Sequence, residues 1–428
     1  MSLRSILFSL SASLASATNL YATHYSGTVY SLSLTHSSNG SDLAISSEIQ
    51  GCGAMPSWLT LDPATRIIYC NDETGDASTN GSLNALSAST DGTLKLIAST
   101  DAAPGGGVNS VIYTGEHGAQ YLAIAHYGGS ALSTFTLPLT PDSQPLQVFR
   151  YTFSDDNPKR RPQQDSPHPH QVFLDPTGSF VLVPDLGSDL LRVYAIDKAT
   201  GKLQSHCTDL TYPTGSGPRH GLFWESADDH HSILTTNNNR NTRRNTRRNT
   251  RRNTRRNRNQ AQQQGAATLY TANELDGHLK VFDVSYVSDG CLSFRQLQAL
   301  VPYPTTNDSL PTGATLAEIR KAGNGLYVSV RSDHGFAPYD SIATLTRHAN
   351  ASVEFERLSS AYGTVPRTFV INKAGDLVAI GDQASSNVAI VARDPVTGVL
   401  GEKIAELQVG EPGAVGTAEG LSSIIWDE

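Results

Sequence analysis

One unit recurs along this chain, and it constrains the fold more than any other feature. It has an apolar strand, a turn often written D-P-x-x or K-A-G, a second strand ending in a polar residue, a Gly/Ser-rich turn and a third strand. "HQVFLDPTGSFVLVPDLGSDLLRVYAI" (170–196) and "RTFVINKAGDLVAIGDQASSNVAIVAR" (367–393) show it in full. The same frame fits "SWLTLDPATRIIYCNDETGD" from Ser57 and "NSVIYTGEHGAQYLAIAHYGGSALSTF" from Asn109. It also fits "RHGLFWE" from Arg219, which resumes at "ATLYTANELDGHLKVFDV", and a looser copy runs from about Gly313 through "GLYVSVRSDHGFAPYDSIATL". A seventh copy, "TNLYATHYSGTVYSLSL", starts at its second strand, and "EGLSSIIWD" (419–427) can supply the missing first one. Repeats about 50 residues apart, each with room for four short antiparallel strands, are the pattern of propeller blades, whereas a β-solenoid would need shorter repeats. The expected fold is all-β, a seven-bladed β-propeller over residues 18–428 closed by a C-terminal strand in the first blade. Such closure leaves no open sheet edge.

Composition agrees with strands rather than helices: charged residues make up 17% of the 428, with 36 Gly and 21 Pro. The net charge of −8 conceals an asymmetry, because residues 240–258 hold ten arginines and no acid. The rest of the chain carries 22 basic residues (32 less those 10) against 40 acidic ones, a balance of −18. A body that acidic repels nucleic acid, so no nucleic-acid partner is expected. The tract "NTRRNTRRNTRRNTRRN" (241–257) falls between the first and second strands of the fifth blade and has nothing apolar to bury. Residues 237–264 are therefore expected to form a disordered Asn/Arg-rich insertion.

The amino terminus, "MSLRSILFSLSASLASATNLYA", has a basic residue, a modest apolar stretch and the small-residue pattern Ala15-Ser16-Ala17. That layout predicts a secretory signal over 1–17. The sequons at Asn39, Asn80, Asn307 and Asn350 fit export. Four cysteines (Cys52, Cys70, Cys207, Cys291) allow one or two disulfides, whose pairing the sequence leaves open. No later apolar run is long enough to cross a bilayer. The expected product is a secreted monomer, with a cytoplasmic location as the alternative.

In each blade the first strand begins on the face where the second, running back, ends. Second strands are expected to end at His24, Asp72, His126, Asp185, Glu274, Arg331 and Asp382, and first strands to open at Ser57, Asn109, His170, Arg219 and Arg367. Both rings should line the channel mouth, where ionisable groups need partners or a ligand. Asp at strand ends also favours turns, so Asp72, Asp185 and Asp382 have an ordinary alternative role. Turn chemistry does not call for Arg after Pro, as in "PRH" and "PRT". Guanidinium forks grip carboxylate or phosphate and stabilise a forming oxyanion, while a carboxylate and an imidazole beside them can move a proton. The pair in "SPHPHQVFLDP" lacks the H-E-x-x-H frame, the chain has no C-x-x-C, and two prolines keep His168 and His170 off one helix face. No metal or cofactor is expected. Neither a G-x-S-x-G elbow nor a phosphate-cradling glycine loop is present.

At these residues the sequence resembles the lactonase-type seven-bladed propellers, which include propeller 6-phosphogluconolactonases and fungal 3-carboxy-cis,cis-muconate lactonizing enzymes. The resemblance spans about Asn19 to Trp426 and is strongest in "SPHPHQVFLDPTGSFVLVPDLGSDLLRVY", "GSGPRHGLF", "LYTANELDGHLKVF" and "LYVSVRSD". It implies a metal-independent site of one His, two Arg and one Glu, matched by His170, Arg219, Arg331 and Glu274, with Glu274 favoured as base. Arg367, His126, Asp185, Asp382 and His24 are expected to bind substrate. The implied activity opens or closes a lactone ring on a small anionic sugar-acid or polycarboxylate substrate. A non-enzymatic secreted or cell-surface propeller that binds a small ligand or a protein is the alternative.

Overall fold

The structure is a computed structural model, and it describes residues 17–38, 40–153, 161–224, 267–288, 290–304 and 307–428. Seven antiparallel sheets follow one another along the chain, each built outward from its first strand. Apart from one 3-10 turn at Glu116–Gly118, every regular element among the described residues is a strand. Blade 2 is typical: Pro56–Asp62, Ile67–Asp72, Leu83–Ala88 and Leu94–Thr100, in spatial order. Inner strands are buried on both faces and read as continuous apolar runs, whereas outer strands such as Leu400–Gln408 alternate.

Blade 1 is composite, as expected. Leu421–Trp426 pairs with Ala17–His24 in the register Leu20↔Trp426 to Thr23↔Ser423, inside Thr28–Ser37 and Gly40–Gln50. The closing strand enters at Gly420, whose φ of +79° suits glycine and whose Cβ, if it had one, would meet the Gln383 carbonyl. It leaves at Asp427, which the Arg66 guanidinium holds at 2.7 Å.

The core lies between blades rather than in one centre. Leu20, Leu32, Leu34, Ile390, Leu421, Ile424 and Trp426 pack blade 1 against blade 7, and comparable clusters fill the other junctions. Each such side chain contributes about 1.5–3 kcal/mol when fully buried. Two disulfides add to this. Cys52–Cys70 ties the segment entering blade 2 to its second strand, and Cys207–Cys291 ties the rim of blade 4 to the outer strand of blade 5.

Trp224 and Ala267 flank the arginine-rich insertion, and their strands pair through Trp224↔Thr268. The expected disorder over 237–264 and nearly all of the signal segment fall outside the described residues, as does the Asn39 sequon. Asn80, Asn307 and Asn350 are exposed. No helix among the described residues is long and apolar enough to cross a membrane.

Candidate active site

A bulge at the start of the inner strand shapes the channel mouth. In blade 5, Pro218 pairs with Asn273 and His220 with Ala272, so Arg219 is the extra residue. Blade 7 repeats this with Arg367 between Pro366↔Asp382 and Thr368↔Gly381, and blade 2 with Ser57 between Pro56↔Asp72 and Trp58↔Asn71. Val108 is the corresponding residue of blade 3 and Ser422 of blade 1. In blade 4 the Pro169↔Asp185 bridge and the Phe173↔Leu182 pair differ in register by one, which gives His170 the same place. A bulge breaks the two-residue alternation and re-aims a side chain. Proline before the extra residue suits it, since the ladder needs no donor there.

The second half of the lining is the residue just after each second strand. Glu73, Tyr127, Glu274, Ser332 and Gln383 occupy that position in blades 2, 3, 5, 6 and 7, and all five face one cavity of about 410 Å3. His170, Arg331 and Arg367 are the other ionisable side chains of its wall. The volume falls within the roughly 300–1,000 Å3 of small-molecule sites. A cavity of about 490 Å3 between blades 4 and 5 at the outer rim, lined by His206, Asp209 and Phe294 among others, has no comparable set of cations and carboxylates.

The four expected catalytic residues meet here. Arg331 Nη2 lies 2.8 Å from Glu274 Oε1, and Arg219 Nε lies 3.0 Å from Glu274 Oε2. Arg331 Nε also donates to Thr315 Oγ1 at 3.1 Å. Burial alone would raise the Glu274 pKa, but Arg331 and Arg219 outweigh it and hold the carboxyl below its usual range. Arg219, 2% exposed, is pushed down to about 9 by burial and then by Arg331. Its Nη1 has no hydrogen-bond partner among the described residues.

His170 is buried against Tyr127 (5.6 Å, edge-on) and His220 (5.3 Å). Burial, then the charge of Arg219, puts its pKa well below the ordinary imidazole value, so the ring is neutral at neutral pH. Its buried Nδ1 has no hydrogen-bond partner among the described residues. His168 supports the wall from behind: its ring stacks on Tyr127 at 4.0 Å, and its backbone N–H donates to Asp185. Deeper still, Glu318 lies 3.2 Å from both His220 Nδ1 and Arg320 Nε. That pairing outweighs burial and holds its carboxyl at about 2.

Of the residues expected to bind substrate, only Arg367 lines this cavity. His24 bonds Ser26 and the Glu411 carbonyl, and His126 bonds Ser133 Oγ. Asp185 pairs with Arg192 at 2.7 Å and accepts the Ser188 N–H. Asp382 is buried beside Asn387, its pKa raised by burial and by Asp340. These four are last in their strands, one residue short of the lining position. Glu73, Tyr127, Ser332 and Gln383 were missed for the same reason. Alternation was the signal that could have found them, since Glu274 stands one residue beyond the strand-final Asn273. Among the described residues the only cluster of three potential metal ligands is His206 with Cys207 and Cys291, whose sulfurs are bonded to each other.

The family described as Lactonase, 7-bladed beta-propeller matches residues 18–417. The chain belongs to that family. This lactonase propeller is 26% identical over 361 residues to a protein of Arthroderma benhamiae named as a probable 6-phosphogluconolactonase, covering 83% of this chain and 78% of the relative. A 6-phosphogluconolactonase of Formosa agariphila is 24% identical over 357 residues, 82% of this chain and 85% of the other. The periplasmic gluconolactonase of Pseudomonas aeruginosa has the same fold, with a TM-score of 0.68 at 22% identity over 96% of this chain and 99% of that one. The polar cluster of this lactonase-family propeller sits in its channel mouth.

Proposed function

We propose that this enzyme hydrolyses the lactone of a sugar acid, with His170, Arg331, Arg219 and Glu274 as its working groups. The observation that carries the reading is a neutral imidazole, His170, in the same cavity wall as an arginine–carboxylate–arginine cluster. In the step, His170 takes a proton from water as the water oxygen bonds to the lactone carbonyl carbon. The carbonyl oxygen becomes an oxyanion, which Arg331 stabilises, with Arg219 adding positive charge from beneath. When the tetrahedral carbon collapses, the ring C–O bond breaks and imidazolium returns its proton to the departing alkoxide, leaving the open hydroxy acid.

Glu274 was the favoured base on sequence grounds. Both of its oxygens face guanidinium groups, which lowers its basicity and favours a different part, that of fixing the two arginines. His170 fits the proton-accepting role better, because its Nδ1 has no hydrogen-bond partner among the described residues whereas both Glu274 oxygens are engaged by guanidinium groups. Purified protein presented with a panel of sugar lactones, their phosphates and muconolactones should release acid from at least one, and His170→Ala should abolish most of that rate. Tight binding of a lactone with no turnover would favour the non-enzymatic reading instead.

The two disulfides, the signal pattern over 1–17 and the exposed sequons support export to an oxidising compartment. Mass spectrometry of protein from the growth medium should find a mature chain starting at Thr18.

A further inference from the structure

The wall opposite Glu274 holds a second carboxylate, Glu73, at the equivalent position of blade 2. Its surroundings differ. Tyr25 Oη and Ser57 Oγ both donate to its Oε2, at 2.6 and 2.5 Å. Arg367 Nη2 stands off at 3.6 Å, beyond hydrogen-bond reach, with its guanidinium 5.6 Å over the Tyr25 ring. Glu73 Oε1 receives no hydrogen bond from the described residues, although Glu73 lines the cavity. An ionised carboxylate oxygen only accepts, so what it selects is a donor such as a hydroxyl. Gln383, also in this wall, gives its amide N–H to the Thr417 carbonyl.

Charge points the same way. Glu73 and Glu274 face Arg219, Arg331 and Arg367, one positive charge in excess. Opening a neutral lactone builds one negative charge in the tetrahedral intermediate, which that excess matches. A phosphate brings about −1.5 to −2 further charge, and here it would meet a carboxylate with an open acceptor oxygen.

Building on the lactonase reading, we propose that Glu73, braced by Tyr25, Ser57 and Arg367, is the specificity subsite of this cavity. It takes the hydroxyls of an unphosphorylated polyhydroxy lactone and rejects lactones that carry a phosphate. The anionic substrate expected from sequence is thereby replaced by a neutral one whose product is the anion.

The test compares the purified full-length protein on D-glucono-1,5-lactone and on its 6-phosphate, by acid release in a pH-stat. The wild type should show at least tenfold higher kcat/KM for the neutral lactone. Glu73→Gln should raise KM for that lactone about tenfold, the scale of a lost charge-assisted hydrogen bond, with a smaller fall in kcat, and should improve turnover of the phosphate. Wild-type preference for the phosphate would overturn the proposal. So would an unchanged KM in Glu73→Gln, and the wild-type comparison decides the matter even where that variant does not fold. No turnover of either compound would overturn this proposal, while acid release from another lactone of the panel would leave the lactonase reading standing.

Discussion

Arg219 and Arg331 approach opposite oxygens of Glu274, at 3.0 and 2.8 Å, and Arg219 is almost wholly buried in doing so. Two like charges converge on one carboxylate that only partly offsets them. Arg331 is the largest charge pressing on Arg219, second only to burial in pulling its pKa down to about 9. The pair therefore has positive charge to spare, and an oxyanion forming beside it would complete the balance.

Glu274→Gln should leave that repulsion uncompensated. Removing one partner of a buried pair typically costs about 3–5 kcal/mol, discounted here because Glu274 is 18% exposed. The expected result is a lowered melting temperature together with at least a tenfold loss of kcat on the best lactone. Calorimetry and steady-state kinetics on the same sample check both.

His170→Ala should lower kcat by about a hundredfold to ten-thousandfold with little change in melting temperature. In the wild type the acid limb of kcat should lie well below pH 6.5, because burial and Arg219 disfavour the imidazolium. A limb centred near 6.5 would instead point to an exposed, ordinary histidine. A pH–rate profile distinguishes the two.

Deleting residues 419–428 should cost several kcal/mol. The deletion removes buried Leu421, Ile424 and Trp426 and the Arg66–Asp427 ion pair, and it exposes the edge of Ala17–His24. Leu421→Ala alone should lose about 2–5 kcal/mol. Urea titration of both variants measures this, and an unchanged midpoint in the deletion would reject the closure.

Blade count, closure and the place of the four central residues were legible because each repeat preserves its apolar strands, and four of the seven inner strands are led by proline. Arg219 and Arg367 stood out since nothing local asks for arginine after proline. The remainder depended on register. Taking the last strand residue as the lining one gave His24, His126, Asp185 and Asp382, whose side chains bond within the protein scaffold instead. Taking the next one gives Glu73, Tyr127 and Gln383. A one-residue slip reverses the facing of every side chain in a strand, and the bulges that set the phase depend on pairing between strands, which a single sequence does not display. Disulfide pairing was closed to sequence for the same reason: Cys207 and Cys291 lie 84 positions apart and meet only across a blade junction.

Removing residues 237–264 should leave both folding and turnover unchanged. The insertion departs from Trp224 and returns at Ala267, the far ends of strands whose other ends, Pro218 and Asn273, adjoin the cavity. Circular dichroism and lactone kinetics on the deletion check this, and loss of either property would assign the tract a role in the fold or the site.

Acid should destabilise the protein earlier than carboxylate protonation alone would. Burial pushes His126 to about 3 and His220 to about 4, and it pushes His170 well down as well. Unfolding returns each to about 6.5. For a histidine whose folded pKa is depressed, the unfolded state binds the extra proton between the two values, so stability falls as pH drops through 6.5 toward the folded pKa. Their contribution fades only above about pH 7.5, because the unfolded imidazole is half protonated at about 6.5. With three such groups the slope approaches about 4 kcal/mol per pH unit at its steepest. Glu318, held at about 2, acts in the same direction only below about 4.5, where its unfolded carboxyl begins to take a proton. Urea midpoints at pH 7.5, 6.5, 5.5 and 5.0 should therefore fall slightly over the first interval, by about 1 kcal/mol in stability, and about three times as steeply over the next two. His220→Gln, which keeps a polar group but does not titrate there, should flatten the slope by about a third. A flat midpoint down to pH 5 would mean that the three imidazoles reach water in the folded protein.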